Sequence, residues 1–381
     1  MSLALRLTGA RVLRPEGLSD APLCIEGGRI AHGTAGREVD LSGFLVLPGI
    51  VDAHGDGFER HLAPRRGAMK DLGQGLIAAE AELAANGITT AVLAQFYSWE
   101  GGMRGPEFAA RVFAALAEVR GRVVTDLHAQ LRFEVGMLDA YDAVAACVAA
   151  HGVGQVVFND HLPHEALEQG KRPPRLTGQA LRIGRNPEAH LAMMQAMHAR
   201  MDEVPAALDR LCAVLAARGV RLGSHDDRSA ATRAAWRARG VRTAEFPETL
   251  EAAEAAQAGG DAVVMGAPNV VRGGSHNGNA SAADMVAMGL VDALASDYHY
   301  PSLRRAAFLL ADAGVRDLAG AWALVSSGPA RVLGLADRGT LMPGQRADIV
   351  VLDAASRTVA ATFSGGRISY LSGAAAERLI G

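Results

Sequence analysis

Cysteine is scarce in this chain, and the three present, Cys24, Cys147 and Cys212, stand far apart. Their odd number and the lack of any C-x-x-C spacing argue against a disulfide framework and against a thiolate zinc site, and they point to a reducing cytoplasm. A strong charge of either sign is missing as well. The 38 Lys+Arg against 41 Asp+Glu leave a net charge of -3, so no global field marks nucleic acid or a membrane surface as a partner. No uninterrupted apolar run is long enough to span a bilayer. The opening segment MSLALRLTGARVLRPEG is broken by Arg6 and Arg11 into a strand-like alternation, unlike a secretory signal core. What the chain does have is apolar material, 49% of 381 residues, enough for one large domain and a small one.

Residues 3 to 50 read as short strands separated by glycine turns, in LALRLTGARVL, APLCIEGGRIAHG and REVDLSGFLVLPG, and the same texture returns in GTLMPGQRADIVVLD and TVAATFSGGRISY. Neither end can bury enough apolar area alone, so 1–50 and 339–381 are expected to join as one discontinuous small β-domain, a β-sandwich. The run from Gly43 to Gly49 is the entry from it into the rest. Between the two ends, 51–338 alternates short apolar strands with alanine-rich helical stretches, the signature of parallel βα units. Strands are expected near 50–54, 88–96, 123–134, 154–160, 220–225, 241–246, 262–267 and 291–297. Eight such units match a (β/α)8 barrel of about 250 residues, with an open doubly wound sheet as the competing α/β arrangement.

In a barrel, chemistry sits at the C-terminal ends of the strands, and those ends are where this sequence becomes polar. His54 and Asp56 end the first, Glu134 the third, Asp160-His161 the fourth, His225 the fifth, Glu245 the sixth and Asp297 the eighth. A lone His or Asp at a strand end is more often a structural hydrogen-bonding group or a helix cap. Converging on one mouth, so many ionisable groups would be costly to bury without a cation. Imidazole with carboxylate suits Zn²⁺ first, with Mn²⁺ or Fe²⁺ as alternatives. Residues two apart face one side of a strand, so His54 and Asp56 are expected on one ion. Glu134 would bridge to a second ion held by His161 and His225, and two cations would acidify a water between them. Asp297 is then both ligand and proton acceptor.

The segment GAPNVVRGGSHNGN, 266 to 279, reads as a glycine-rich loop built for phosphate, with Asn269, Arg272, Ser275, His276 and Asn277 as candidate substrate contacts. His61 joins that set; Arg132, Lys171 and Arg172 are weaker candidates for the same role, since isolated basic residues are usually solvated. The charged run AATRAAWRARG, 230 to 240, reads as an exposed helix face, and AELAAN as helix packing.

LVLPGIVDAHGD and GTLMPGQRADIVVLD resemble the entry and exit signatures of the amidohydrolase superfamily, and the resemblance covers essentially the whole chain. It implies a metal-dependent barrel with a β-domain made from both termini. HGDGFERH, FNDH, GSHDD, MGAPNVVRGGSHNGNASA and LASDYHYPSL are similar to a branch that releases pyrophosphate from a ribose 5-triphosphate in phosphonate breakdown. It implies His54, Asp56, Glu134, His161 and His225 as ligands and Asp297 as ligand and base, acting on a small phosphorylated substrate. Aspartate stands at 56 where many members carry histidine, and no lysine lies at these strand ends to serve as a carboxylated bridge. The mouth segments LAPRRGAMKDLG, AQFYSWEGGMRG and LPHEALEQGKRPPRLTG depart from that branch. Two rival readings are hydrolysis of a C–N bond, in a cyclic amide or N-acyl compound, and a non-catalytic scaffold; a homo-oligomer is compatible with each.

Overall fold

The computed structural model describes residues 3–33, 36–63, 71–274 and 280–381. Eight parallel strands form one sheet in sequential order: β1 (Ile50–Gly55), β2 (Ile88–Tyr97), β3 (Asp126–Glu134), β4 (Gln155–Asn159), β5 (Arg221–His225), β6 (Thr243–Glu245), β7 (Ala262–Gly266) and β8 (Ala293–Ala295). Each lies where the alternation of apolar runs and alanine-rich stretches places it. In β2 every residue is buried, as expected of a strand with helices on its outer face and side-chain layers on its inner face. The open doubly wound alternative is excluded by closure: Gly55 and Asp297 form a parallel bridge, with Asp297 N–H donating to His54 O at 3.0 Å and Asp56 N–H to Asp297 O at 2.9 Å.

The first and last strands are also stapled by side chains. The carboxylate of Asp52, fully buried, accepts from the Ser296 backbone N–H at 2.9 Å and from the Ser296 hydroxyl. Burial pushes its pKa up to about 6 while these bonds pull it back. Gly55 makes the approach possible, because a Cβ there would stand 2.8 Å from both Asp52 Oδ2 and Ser296 Oγ.

Both ends of the chain build a β-sandwich. One sheet orders Arg29–Ala31, Leu23–Glu26, Leu5–Thr8 and Arg37–Asp40; the other orders Arg367–Leu371, Val359–Ser364, Ile349–Asp353, Phe44–Pro48, Arg11–Arg14 and Gly17–Ser19. Phe44–Pro48 pairs antiparallel with Ile349–Asp353, Val46 opposite Val351, which joins the two ends of the chain. Leu5, Leu7, Ile25, Val46, Val351 and Phe363 fill a core between the sheets.

Two expectations are corrected. The 266–279 segment is not all loop: Ala267–Arg272 is a helix with Pro268 in its first turn and buried Ala267, Pro268 and Val270. Proline at a helix start and apolar residues that can pack outweigh the glycine signal. Nor is 230–240 simply an exposed face. Arg233 is fully buried, within 2.9 Å of both Asp227 and Asp261, because the helix Ala230–Ala238 turns it toward one carboxylate from the turn just before it and one from a later loop.

Two stability predictions follow from the buried charges. Asp52→Ala leaves the Ser296 donors dry and unpaired, and is expected to cost about 2–4 kcal/mol, read as a lowered urea midpoint. Arg233→Ala takes the guanidinium from two buried carboxylates, leaving Asp227 with Ser224 and Asp261 with Arg237 and Arg242, and should cost about 1.5–3 kcal/mol. A midpoint shift no larger than that of exposed Arg182→Ala would show that the Arg233 pairing contributes nothing net.

Candidate active site

Cross-strand register decides which strand-end residues meet. Glu134 pairs with Asn159, Phe158 with Ser224, and His225 with Glu245, so Glu134, Asn159, His225 and Glu245 occupy one row around the mouth. His54 enters from β1 with its ring stacked on His225, centroids 5.5 Å apart, and the His161 ring lies 6.4 Å from His225 on the other side.

At the centre, Glu245 Oε2 accepts from His54 Nδ1 at 2.8 Å and lies 3.4 Å from His225 Nδ1, while Gln130 donates to Oε1 at 2.7 Å. Burial raises the Glu245 carboxyl, but the two imidazoles outweigh it and hold that carboxyl well below its usual range. Against burial, Glu245 raises the His54 imidazole; burial and Arg132 push His225 well down. Arg132 Nη2 donates to His225 Nε2 at 2.9 Å, so Nδ1 of His225 carries the proton that faces Glu245. His54 Nε2 is buried and has no hydrogen-bond partner. A proton on Nδ1 held by a carboxylate, with the Nε2 lone pair free, is the arrangement of a metal-binding histidine.

One donor atom each from His54, His225 and Glu245 lies within 4.8 Å of the others. This donor set, with an orphaned buried imidazole nitrogen, fits a borderline divalent cation.

Next to it, Glu134 gives both oxygens to His161, Oε2 accepting from the backbone N–H at 3.0 Å and Oε1 meeting Nδ1. That pairing raises the His161 imidazole against the opposing effect of burial. Asp56 does not join the Glu245 set. Its carboxylate lies 3.6 Å from Arg132 Nη1, because β1 ends at Gly55 and its register against β2 shifts between Asp52 and Gly55, breaking the strict alternation. Asp297 sits at positive φ (56°), in a region that costs energy for a non-glycine residue. Its carboxyl is pushed up to about 6 by burial and then by Asp56. Asp226 and Phe246 share that backbone region, at 59° and 54°, and Phe246 sets its ring edge-on to His54 and His225 at 5.1 and 5.0 Å. The structure therefore collects His54, Asp56, Glu134, His161, His225 and Asp297 at one mouth.

The substrate candidates divide. Arg132 is buried at the centre. Arg272 reaches the Tyr298 hydroxyl and acts electrostatically on Asp297. Asn269 has its amide in framework bonds, Oδ1 to Ala282 N–H at 3.0 Å and Nδ2 to Ala280 O at 3.4 Å. His61 turns to Glu82 at 2.6 Å. Lys171 and Arg172 are exposed. Ser275, His276 and Asn277 lie outside the described residues. Sequence reasoning left Glu245 without a ligand role and Glu59 unassigned. Burial, with Asp56 behind it, pushes Glu59 up to about 7, and its Oε1 is buried without a partner. The signal for Glu245 was present, a carboxylate at the end of a strand like the others; only the register showed it between two histidines.

A family model described as the amidohydrolase family matches residues 60–370. The chain belongs to that family and is a hydrolase. It is 33% identical over 321 residues, 82% of this chain and 84% of the relative, to the alpha-D-ribose 1-methylphosphonate 5-triphosphate diphosphatase of Escherichia coli (strain K12). Among solved structures, a Xaa-Pro dipeptidase with methionine in its active site aligns with a TM-score of 0.65 at 13% identity, over 97% of this chain and all (100%) of that one. The N-acyl-D-glutamate deacylase of Bordetella bronchiseptica, complexed with zinc and a phosphonate inhibitor, aligns with a TM-score of 0.61 at 16% identity, over 97% of each chain. These two likenesses concern the fold. Among the described residues no helix is long and apolar enough to cross a membrane.

Glu245→Gln is expected to weaken metal retention roughly 10–100-fold, measured by elemental analysis after dialysis against a chelator of known affinity. Chelation should also lower the melting temperature of the native chain more than that of the variant. Equal metal content in the two proteins would remove Glu245 from the cation's surroundings.

Proposed function

We propose that this chain is a cytoplasmic hydrolase that cleaves the phosphoanhydride of a ribose 5-triphosphate bearing a 1-methylphosphonate, releasing pyrophosphate and leaving the 5-phosphate. The observation that carries the reading is Arg132, a buried guanidinium set among His225 and Asp56 at the centre of the mouth, in a chain one-third identical to a diphosphatase of that substrate. A neutral amide does not require a buried cation, whereas a polyphosphate does.

His54, through its free Nε2, and His225 would hold one divalent cation, their rings oriented by Glu245 at the Nδ1 atoms, with Glu134, His161, Asp56 and Asp297 as the remaining candidate ligands around a second. When bound, such cations supply Lewis acidity, polarising the phosphoryl group and making water a better nucleophile. The chain's own groups do the rest. Arg132, with Arg272 next to Asp297, binds phosphoryl oxygens and balances the negative charge that grows on them. Asp297 accepts the proton of the attacking water at its carboxylate; desolvation, which raises its basicity, prepares it for that task. Asp52 fixes Ser296 and so the backbone that carries Asp297. Glu245 orients both imidazoles, and the buried walls keep bulk water from the anhydride.

Protein supplied with Zn²⁺ or Mn²⁺ is expected to release pyrophosphate from this triphosphate, and Asp297→Asn to lower kcat by about 10²–10⁴ with its melting temperature retained. The measurement is a coupled pyrophosphate assay run beside a panel of cyclic amides and N-acyl amino acids. Turnover of the amides without pyrophosphate release from the triphosphate would refute the proposal.

A further inference from the structure

Two cavities open on either side of His161, and charge distinguishes them. One, of about 820 Å³, carries the carboxylates of Asp160, Glu165, Asp226 and Asp227 against one guanidinium, Arg228. The other, of about 360 Å³, is lined by Arg104 and Arg175, with Glu100 as its acid. Arg104 belongs to the mouth segment AQFYSWEGGMRG, whose sequence assigns it no role.

Phe96 ties the second cavity to the centre of the mouth. The Arg104 guanidinium carbon lies 4.1 Å from the Phe96 ring centroid and that of Arg132 lies 3.9 Å from the same centroid. A ring face attracts each guanidinium, but two like charges crowded on one ring, one of them buried, repel each other across a medium that screens poorly. An anion reaching both removes that cost. The donors for it are on hand. Arg104 meets Glu100 through Nη1, at 3.0 and 3.1 Å, out of five guanidinium N–H donors. Arg132 Nε is buried without a partner.

We propose that this basic cavity seats the terminal phosphates of the substrate, and hence the departing pyrophosphate, with Arg104 and Arg175 as binding residues and Phe96 as the platform that Arg104 shares with Arg132. The proposal rests on the phosphoanhydride reading and gives the substrate a direction. The sugar and its 1-methylphosphonate then face the larger cavity, where Arg228 stands among the acids. There Asn159, 2% exposed, has no partner on either atom of its amide, a donor and an acceptor that suit hydroxyl groups.

The test is calorimetric titration of the metal-loaded enzyme with pyrophosphate, and with inorganic phosphate as the smaller probe. Arg104→Ala and Arg175→Ala are each expected to weaken pyrophosphate binding by roughly 10-fold or more, the loss of a charge-assisted contact, and phosphate binding by less. Arg104→Lys should restore part of the affinity, and Arg182→Ala, an exposed cation on the helix Leu176–Arg182 that also carries Gln179 of this cavity, sets the baseline. Pyrophosphate affinities within twofold of that baseline for both alanine variants would overturn the proposal. Because the readout is binding, an enzyme that releases pyrophosphate but binds it independently of Arg104 and Arg175 would refute this inference alone. One that binds it through them yet never cleaves the triphosphate would refute the proposed reaction and leave the anion seat standing.

Discussion

The hydrogen bonds from Ser296 to the buried carboxylate of Asp52 close this barrel, and the candidate site depends on that closure. A parallel sheet of eight strands becomes a barrel only if its first and last strands meet, and here they meet in a short bridge at Gly55 and Asp297. A charge-accepting group inside such a seam is costly unless it is fully bonded, so the carboxylate and its two donors specify one alignment of β1 against β8. That alignment places Asp297 beside His54 and Asp56. A slip by one residue would turn Asp297 away from the mouth, since successive side chains of a strand point to opposite faces.

The mouth itself shows how a protein holds many ionisable groups together. Glu245 balances two imidazoles, Glu134 balances a third, and Arg132 stands between Asp56 and His225. The balance is incomplete by design of the donor set: one imidazole nitrogen of His54 and one nitrogen of Arg132 remain buried without partners. One suits a cation and the other an anion. Three strand-end residues at positive φ, Asp226, Phe246 and Asp297, border the mouth, where backbone strain is held by the surrounding barrel.

Much of this was legible beforehand, because apolar runs, alanine-rich helices and polar strand ends are local features. All eight strands lie where the apolar periodicity puts them, and the sandwich follows from terminal segments that cannot bury themselves alone. Other features were not legible. The 267–272 helix hid behind the glycines that flank it, Gly266 before it and Gly273 at its αL cap, and Arg233 looked solvent-facing because its partners, Asp227 and Asp261, come from separate loops. Glu245 was visible as a strand-end carboxylate, but its place between His54 and His225 depends on register across β5 and β6. Asp56 stands apart from the alternation because β1 ends one residue before it.

The sequence by itself determined the barrel, the β-sandwich shared by both termini and the stock of imidazoles and carboxylates, since these depend on composition, periodicity and spacing along the chain; the family was legible through the resemblance of its motifs. The tertiary structure alone decided which of those groups touch. Hydrogen-bond register, the closing seam and the packing of Phe96 under two guanidinium groups are relations between residues tens to hundreds of positions apart, and side-chain distance in a folded protein is not a function of sequence distance.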